Sequence, residues 1–134
     1  MILIVAVDDR NGMMFNKRRQ SRDKVLCEKI LKITSGSRLW MNTYTSKLFA
    51  ECEDVKNIIV DEDFLSKSEK DDYCFAENFL PEESDVDKLI MFKWNRKYPG
   101  DFYFDLDISS WNMSKTEEFA GSSHENITME VYER

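Results

Sequence analysis

Residues 8–24, DDRNGMMFNKRRQSRDK, gather the side chains of this chain best suited to chemistry. Lys17, Arg18, Arg19, Arg22 and Lys24 stand close together, with Ser21 and Asp23 among them. Such a run can hold an anion, whether a phosphate, a nucleotide or an acidic partner, and the N-terminus of a following helix would add N–H donors. The plainer account is a solvated loop whose cations offset the protein's own acids, and it is favoured because phosphate-cradling turns usually include glycines. Met13, Met14 and Phe15 lie between Gly12 and these cations. They can fold over a ligand as an apolar lid or cap the core below, since methionine adapts to irregular gaps in either role.

The remaining candidates are sparser. His124, in GSSHEN, is the one histidine of the chain. Beside Glu125 it reads as a surface or loop-bonding residue, because no serine or cysteine can be assigned to it from spacing. Cys27, Cys52 and Cys74 form no CxxC pair, so a zinc site is not expected and a reduced, cytoplasmic setting is. Asp8, Asp9, Asp61, Glu62, Asp63, Asp101, Asp105 and Asp107 include groups that follow expected strand ends, where open sheets place ligands and two or three acids can hold magnesium. Aspartate is also favoured in turns for local reasons, and that account is preferred. Trp94, followed by Asn95-Arg96-Lys97-Tyr98, can present aromatics and cations to a protein or a single strand, though packing is the preferred reading.

These residues need elements to position them. A chain of 134 residues is the size of one domain, here taken as residues 1–134. A net charge of −7 argues against general nucleic-acid binding, and no apolar run approaches a membrane span. MILIVAV meets Asp8 too soon for a signal peptide and reads as a strand buried on both faces. Leu26, Ile30 and Ile33 recur at helical spacing, so residues 22–34 are expected as an amphipathic helix capped by Ser21 and ended by Ser35-Gly36-Ser37. Strands are expected at 38–41, 57–60, 73–76 and 89–94, short helices at 45–52 and 64–70, and an alternating segment at FYFDLD. Residues 113–119 and 127–132 flank Gly121-Ser122-Ser123 as a closing hairpin. Strand–helix alternation early and none late predicts an α/β fold, a mostly parallel sheet with flanking helices and a C-terminal antiparallel hairpin.

IVAVDDRNGM, RLWMNTYT, VKNIIV, KLIMFKWNRKYPGDFYF, ISSWNM, GSSHEN and EVYER follow one another in the order of similar segments in the dihydrofolate reductase family. The chain thus resembles a shortened, divergent member of that family along nearly its full length. The resemblance implies a nicotinamide cofactor bound at a consecutive-glycine turn after a central strand, but CFAENFLPEESD offers Ala76-Glu77-Asn78 there, and a glutamate repels a diphosphate. The family's Arg-His pair after the second strand is replaced by Thr43-Tyr44, leaving Thr45 as the match. The family's carboxylate on the first helix falls at Leu26, and Asp23 serves only if the alignment slips by one turn.

A resemblance to small bacterial proteins labelled ribonuclease Z brings no chemistry, because that enzyme's His-x-His-x-Asp-His metal cluster cannot be built from His124 alone. The leading expectation is therefore a non-catalytic, cytoplasmic binding or interaction protein on a dihydrofolate-reductase-like scaffold without a cofactor. It would take a small anionic ligand or a protein partner near Met13, Phe15, Arg18, Arg19, Arg22, Asn42, Thr43 and Thr45. That reading expects Leu26 inward, Asp23 in solvent and a cleft filled by side chains. The alternative is a divergent reductase that uses NADPH or a flavin, with Asp23 pointing inward beside Met13 or Phe15.

Overall fold

The computed structural model describes residues 1–134. The apolar run Ile2–Val7 (β1) is the middle strand of the main sheet, and its alternate residues serve both faces. Leu3, Val5 and Val7 join Met13, Met14, Phe64 and Met91 in one core, while Ile4 joins Leu26, Ile30, Phe92 and Ile127 in the other. This two-sided burial explains why β1 lacks the apolar–polar alternation of a one-sided strand.

Leu39–Met41 (β4), Ile58–Val60 (β5), Tyr73–Phe75 (β6) and Lys88–Lys93 (β7) run parallel to β1, and Asn112–Phe119 (β9) and Ile127–Glu133 (β10) close the sheet as an antiparallel hairpin. The seven strands lie in the order β5-β4-β6-β1-β7-β10-β9. The mostly parallel α/β sheet and the hairpin match the expected fold class. No helix is long and apolar enough to cross a membrane.

The one long helix, Lys24–Ile33 (α1), buries Leu26, Cys27 and Ile30. Its N-cap is Asp23, not Ser21, because the Asp23 carboxylate accepts the N–H groups of Val25 and Leu26. Past its end, Gly36 adopts φ 82°, where a side chain would be strained.

Three departures from the expected elements matter for the site. The basic stretch is not a plain loop. Gly12–Phe15 (β2) and Arg18–Arg19 (β3) form a tight hairpin, with Met14 opposite Arg19 and Phe15 opposite Arg18. Its two turn residues, Asn16 and Lys17, both have positive φ, as two-residue hairpin turns of right-handed twist require. The FYFDLD alternation yields only Phe102–Tyr103 (β8), which pairs with β2, before Phe104 turns into the core. The short helices shrink to Thr43–Ser46 (α2), continued by a 3-10 turn over Lys47–Phe49, and Phe64–Lys67 (α3). Asn42 caps α2 by accepting the N–H of Thr45.

Candidate functional site

The chain between β2 and α1 supplies two polar clusters, one on each flank. The first lies at the carboxyl ends of the parallel strands, where open sheets place ligands. Arg19 reaches from β3 to Glu77, which follows β6, with two parallel hydrogen bonds of 2.9 and 3.0 Å. Its guanidinium also donates to the Tyr44 carbonyl at 3.1 Å and lies over the Tyr44 ring. The Thr45 hydroxyl donates to Glu77 at 2.9 Å, and the Asn42 amide donates to Asn78 at 2.9 Å. Burial pulls the Arg19 guanidinium's pKa down, but the bonds and charge of Glu77 outweigh it and hold the pKa above its usual value. These side chains link β3, α2 and the end of β6, beside a cavity of about 360 Å³ lined by Met14, Lys17, Asn78, Asp101 and Phe102.

The second cluster ties the N-terminus of α1 to the β9–β10 loop. Asp23 accepts the N–H of Ser122 on Oδ1 at 3.0 Å and that of Ser123 on Oδ2 at 2.8 Å, and His124 Nδ1 lies 3.0 Å from the same Oδ2. His124 Nε2 is 3.1 Å from Ser21 Oγ and 2.9 Å from the Tyr98 hydroxyl, which itself lies 3.3 Å from Ser21 Oγ. The imidazole stacks on Trp94, with ring centres 4.5 Å apart. Burial alone would push the Asp23 carboxyl up, but His124 and the N–H groups of Ser122, Ser123 and Leu26 hold it well below the usual carboxylate range.

Two expectations are thereby corrected. Asp23 is not in solvent: it is 3% exposed, because an N-cap carboxylate that also receives the hairpin loop's donors is enclosed by both. Nor do its hydrogen bonds run toward Met13 or Phe15. Since Leu26 is buried as well, the inward position of either residue does not separate the two functional readings. Of the two readings of His124, surface or loop-bonding, the first is overturned: it is 4% exposed between Trp94, Tyr98 and Asp23 and bonds from its loop to Asp23 and Ser21. Its partners Asp23 and Ser21 lie 101 and 103 positions away in the chain, so no local spacing could announce them. The donor-rich Gly121-Ser122-Ser123 was the one available signal.

The other expected site residues divide. Met13, Asn42 and Thr45 are buried, and Arg19 is half-buried in its ion pair. Arg18, Arg22, Thr43 and Phe15 are exposed. The strand-end acids are bound locally: Asp8 accepts the N–H groups of Arg10, Gly12 and Tyr98, Asp61 pairs with Lys67, Glu62 accepts the Thr43 N–H, and Asp101 accepts that of Asn16. No group of three or more His, Cys, Asp or Glu residues is placed to hold a metal ion. Burial pushes the Cys27 thiol up to about 12, which leaves no thiolate at neutral pH. Trp94 is buried and so presents nothing to a partner.

Neither a family model nor a curated protein matches the chain by sequence. Solved structures match by shape, and the fold they define is dihydrofolate-reductase-like. One is the dihydrofolate reductase from Enterococcus faecalis complexed with NADP(H) and RAB-propyl, at a TM-score of 0.69 and 15% identity, covering 99% of this chain and 95% of that chain. At that identity the likeness is one of architecture.

Proposed function

We propose that this chain is a binding or interaction protein on a dihydrofolate-reductase-like scaffold that has lost the nicotinamide cofactor site and does not transfer hydride. One observation carries the reading: Arg19 and Glu77 close the carboxyl end of the sheet, with Thr45 and Tyr44 bound to the same pair. A diphosphate brought there would meet the Glu77 carboxylate and would have to break the ion pair to reach Arg19. The turn after β6 carries Ala76-Glu77-Asn78 instead of glycines, so side chains stand where backbone would need to approach the phosphates. These residues do not fit the cofactor held by the Enterococcus faecalis enzyme.

The groups left free for a ligand are Phe15, Arg18, Arg22 and Thr43, while Met13, Arg19, Asn42 and Thr45 are spent on the interior. An anionic small molecule or an acidic protein surface suits that set. The test is thermal unfolding with and without NADPH at roughly 0.5 mM. A ligand at about 100 times its dissociation constant stabilises by about 2.7 kcal/mol, a shift of several degrees for a domain of this size. No shift is expected. A clear NADPH-specific rise would favour the divergent reductase instead.

A further inference from the structure

We propose that Ser21, His124 and Asp23 form a hydrolytic centre in which Ser21 Oγ is the nucleophile toward small acyl esters. This goes beyond the binding reading and does not rest on it, because the reductase end of the sheet can be closed while Ser21 still reacts.

The geometry has the elements that serine nucleophiles need. Ser21 Oγ is 3.1 Å from His124 Nε2, and His124 Nδ1 is 3.0 Å from Asp23 Oδ2. Asp23 and His124 are buried, whereas Ser21 is only half-buried, so the reactive end of the chain of hydrogen bonds is the end that reaches solvent. Asp23 is itself fixed by four backbone N–H groups, those of Val25, Leu26, Ser122 and Ser123. As an ionised acceptor it selects the tautomer with the proton on Nδ1, which leaves Nε2 as the base. When Ser21 donates to Nε2, the Tyr98 hydroxyl donates to Ser21 Oγ at 3.3 Å. The N–H groups of Ser21 and Arg22 donate to nothing else in the chain, and the N–H of the residue after the nucleophile is a recurrent oxyanion donor.

A cavity of about 270 Å³, lined by Arg22, Asp23, Lys24, Glu51, Ser122 and Ser123, among others, lies on the Asp23 side of this centre and is not lined by Ser21 or His124. An acyl group would therefore meet Ser21 Oγ from the half-exposed face of that residue.

In the first half-reaction Ser21 Oγ bonds to the acyl carbon, its proton passes to His124 Nε2, and the C–O bond to the leaving group breaks as that proton moves to the departing oxygen. Water then attacks the acyl-serine and gives its proton to Nε2. The C–Oγ bond breaks, and the proton returns to Oγ with release of the carboxylic acid. Asp23 touches no reacting atom and is a positioning residue.

The experiment treats the full chain with a fluorophosphonate probe, reads intact mass and maps the labelled peptide, alongside hydrolysis of p-nitrophenyl acetate. One equivalent of label on Ser21 is expected, absent from Ser21→Ala, with ester hydrolysis lowered by about 10²-fold or more in Ser21→Ala and His124→Gln. Ser21→Ala removes one half-buried hydroxyl and should melt within a few degrees of the parent, so it remains readable if His124→Gln does not fold. In Asp23→Asn the acid limb of the pH–rate profile should move, whereas a merely structural carboxylate would change only its height. A folded protein that takes no label at Ser21, or hydrolysis that survives Ser21→Ala, overturns the centre, and an unmoved limb overturns the role of Asp23. A melting shift with NADPH would overturn the binding reading alone.

Discussion

Arg19 and Asp23 lie within one short connection, yet their charges are buried in different ways. Arg19 meets an equal and opposite side chain, and the pair is further bonded to the Tyr44 carbonyl and the Thr45 hydroxyl. Asp23 meets mostly backbone N–H groups, with the Ser122 hydroxyl and His124 as side-chain partners, and His124 passes the polarity outward to Ser21 and Tyr98. The first cluster is closed upon itself and acts as a plug. The second ends in a hydroxyl at the surface. On one scaffold, an ion pair closes the polar cluster at the carboxyl end of the sheet, while the tie between helix and hairpin ends in the hydroxyl proposed to react.

The largest effect is expected from opening the plug. Glu77→Ala leaves Arg19 half-buried and uncompensated, which should lower stability by about 3 kcal/mol, at the low end for broken buried pairs because Arg19 keeps some solvent. Chemical denaturation at pH 7 measures it. The double variant Arg19→Met/Glu77→Leu should recover most of the loss, since apolar replacement of a buried pair is often neutral. A double variant as unstable as Glu77→Ala alone would mean that the Tyr44 and Thr45 contacts, not the charges, hold this end together.

The second cluster can be broken without touching any of its polar groups. A Cβ on Gly121 would collide with the Asp23 carboxylate, coming within 2.9 Å of its Cγ and of Ile127 Cδ1. Gly121→Ala should therefore push the hairpin loop off α1 at a cost of about 2 kcal/mol, as overpacking commonly does. Labelling of Ser21 should fall with it if His124 loses its place, which ties the stability of the clasp to the proposed reactivity.

Acid separates the clusters further. The Asp23 carboxyl is held below its unfolded value of 3.8, so the native state binds fewer protons than the unfolded one in the window beneath that value. Its contribution is complete above about pH 5 and fades as pH falls through 4 and below. Asp23→Asn should lose about 1–2 kcal/mol at neutral pH, because asparagine keeps the cap through its remaining oxygen while its NH₂ leaves the Ser123 N–H without an acceptor. It should also show a flatter decline of melting temperature between roughly pH 5 and 3 than the parent. Asp8 and Asp72 are held low by similar hydrogen bonds, so some acid sensitivity should remain in the variant.

Much of the sheet was legible because it rests on short-range apolar patterns. The uninterrupted MILIVAV can only be a two-sided strand, and Leu26 and Ile30 could face nothing but a core. The order of quoted segments likewise agreed with the dihydrofolate-reductase-like architecture. What escaped the sequence was every feature decided by partners distant in the chain. Glu77 looked like a group that repels phosphate, and only the fold supplied Arg19 to it. His124 looked solitary until the hairpin carried it to Asp23 and Ser21. The β2–β3 hairpin was hidden because Asn16-Lys17 lacks the glycine that usually marks such a turn, the second positive φ being taken by a lysine.

The smallest effect sharpens the comparison from outside both clusters. Phe15 is 46% exposed at the end of β2, opposite Arg18 and beside the turn, and it bonds to neither cluster. Phe15→Ser should change stability by no more than about 0.5 kcal/mol, as surface substitutions usually do, and should leave Ser21 labelling at the parental rate. If this face is instead where a partner or ligand docks, the change will appear only in binding, because an exposed aromatic contributes its buried area when it is covered. A loss of stability well above 0.5 kcal/mol would show that the ring already packs on this chain, and would remove it from the set of groups free to meet a ligand.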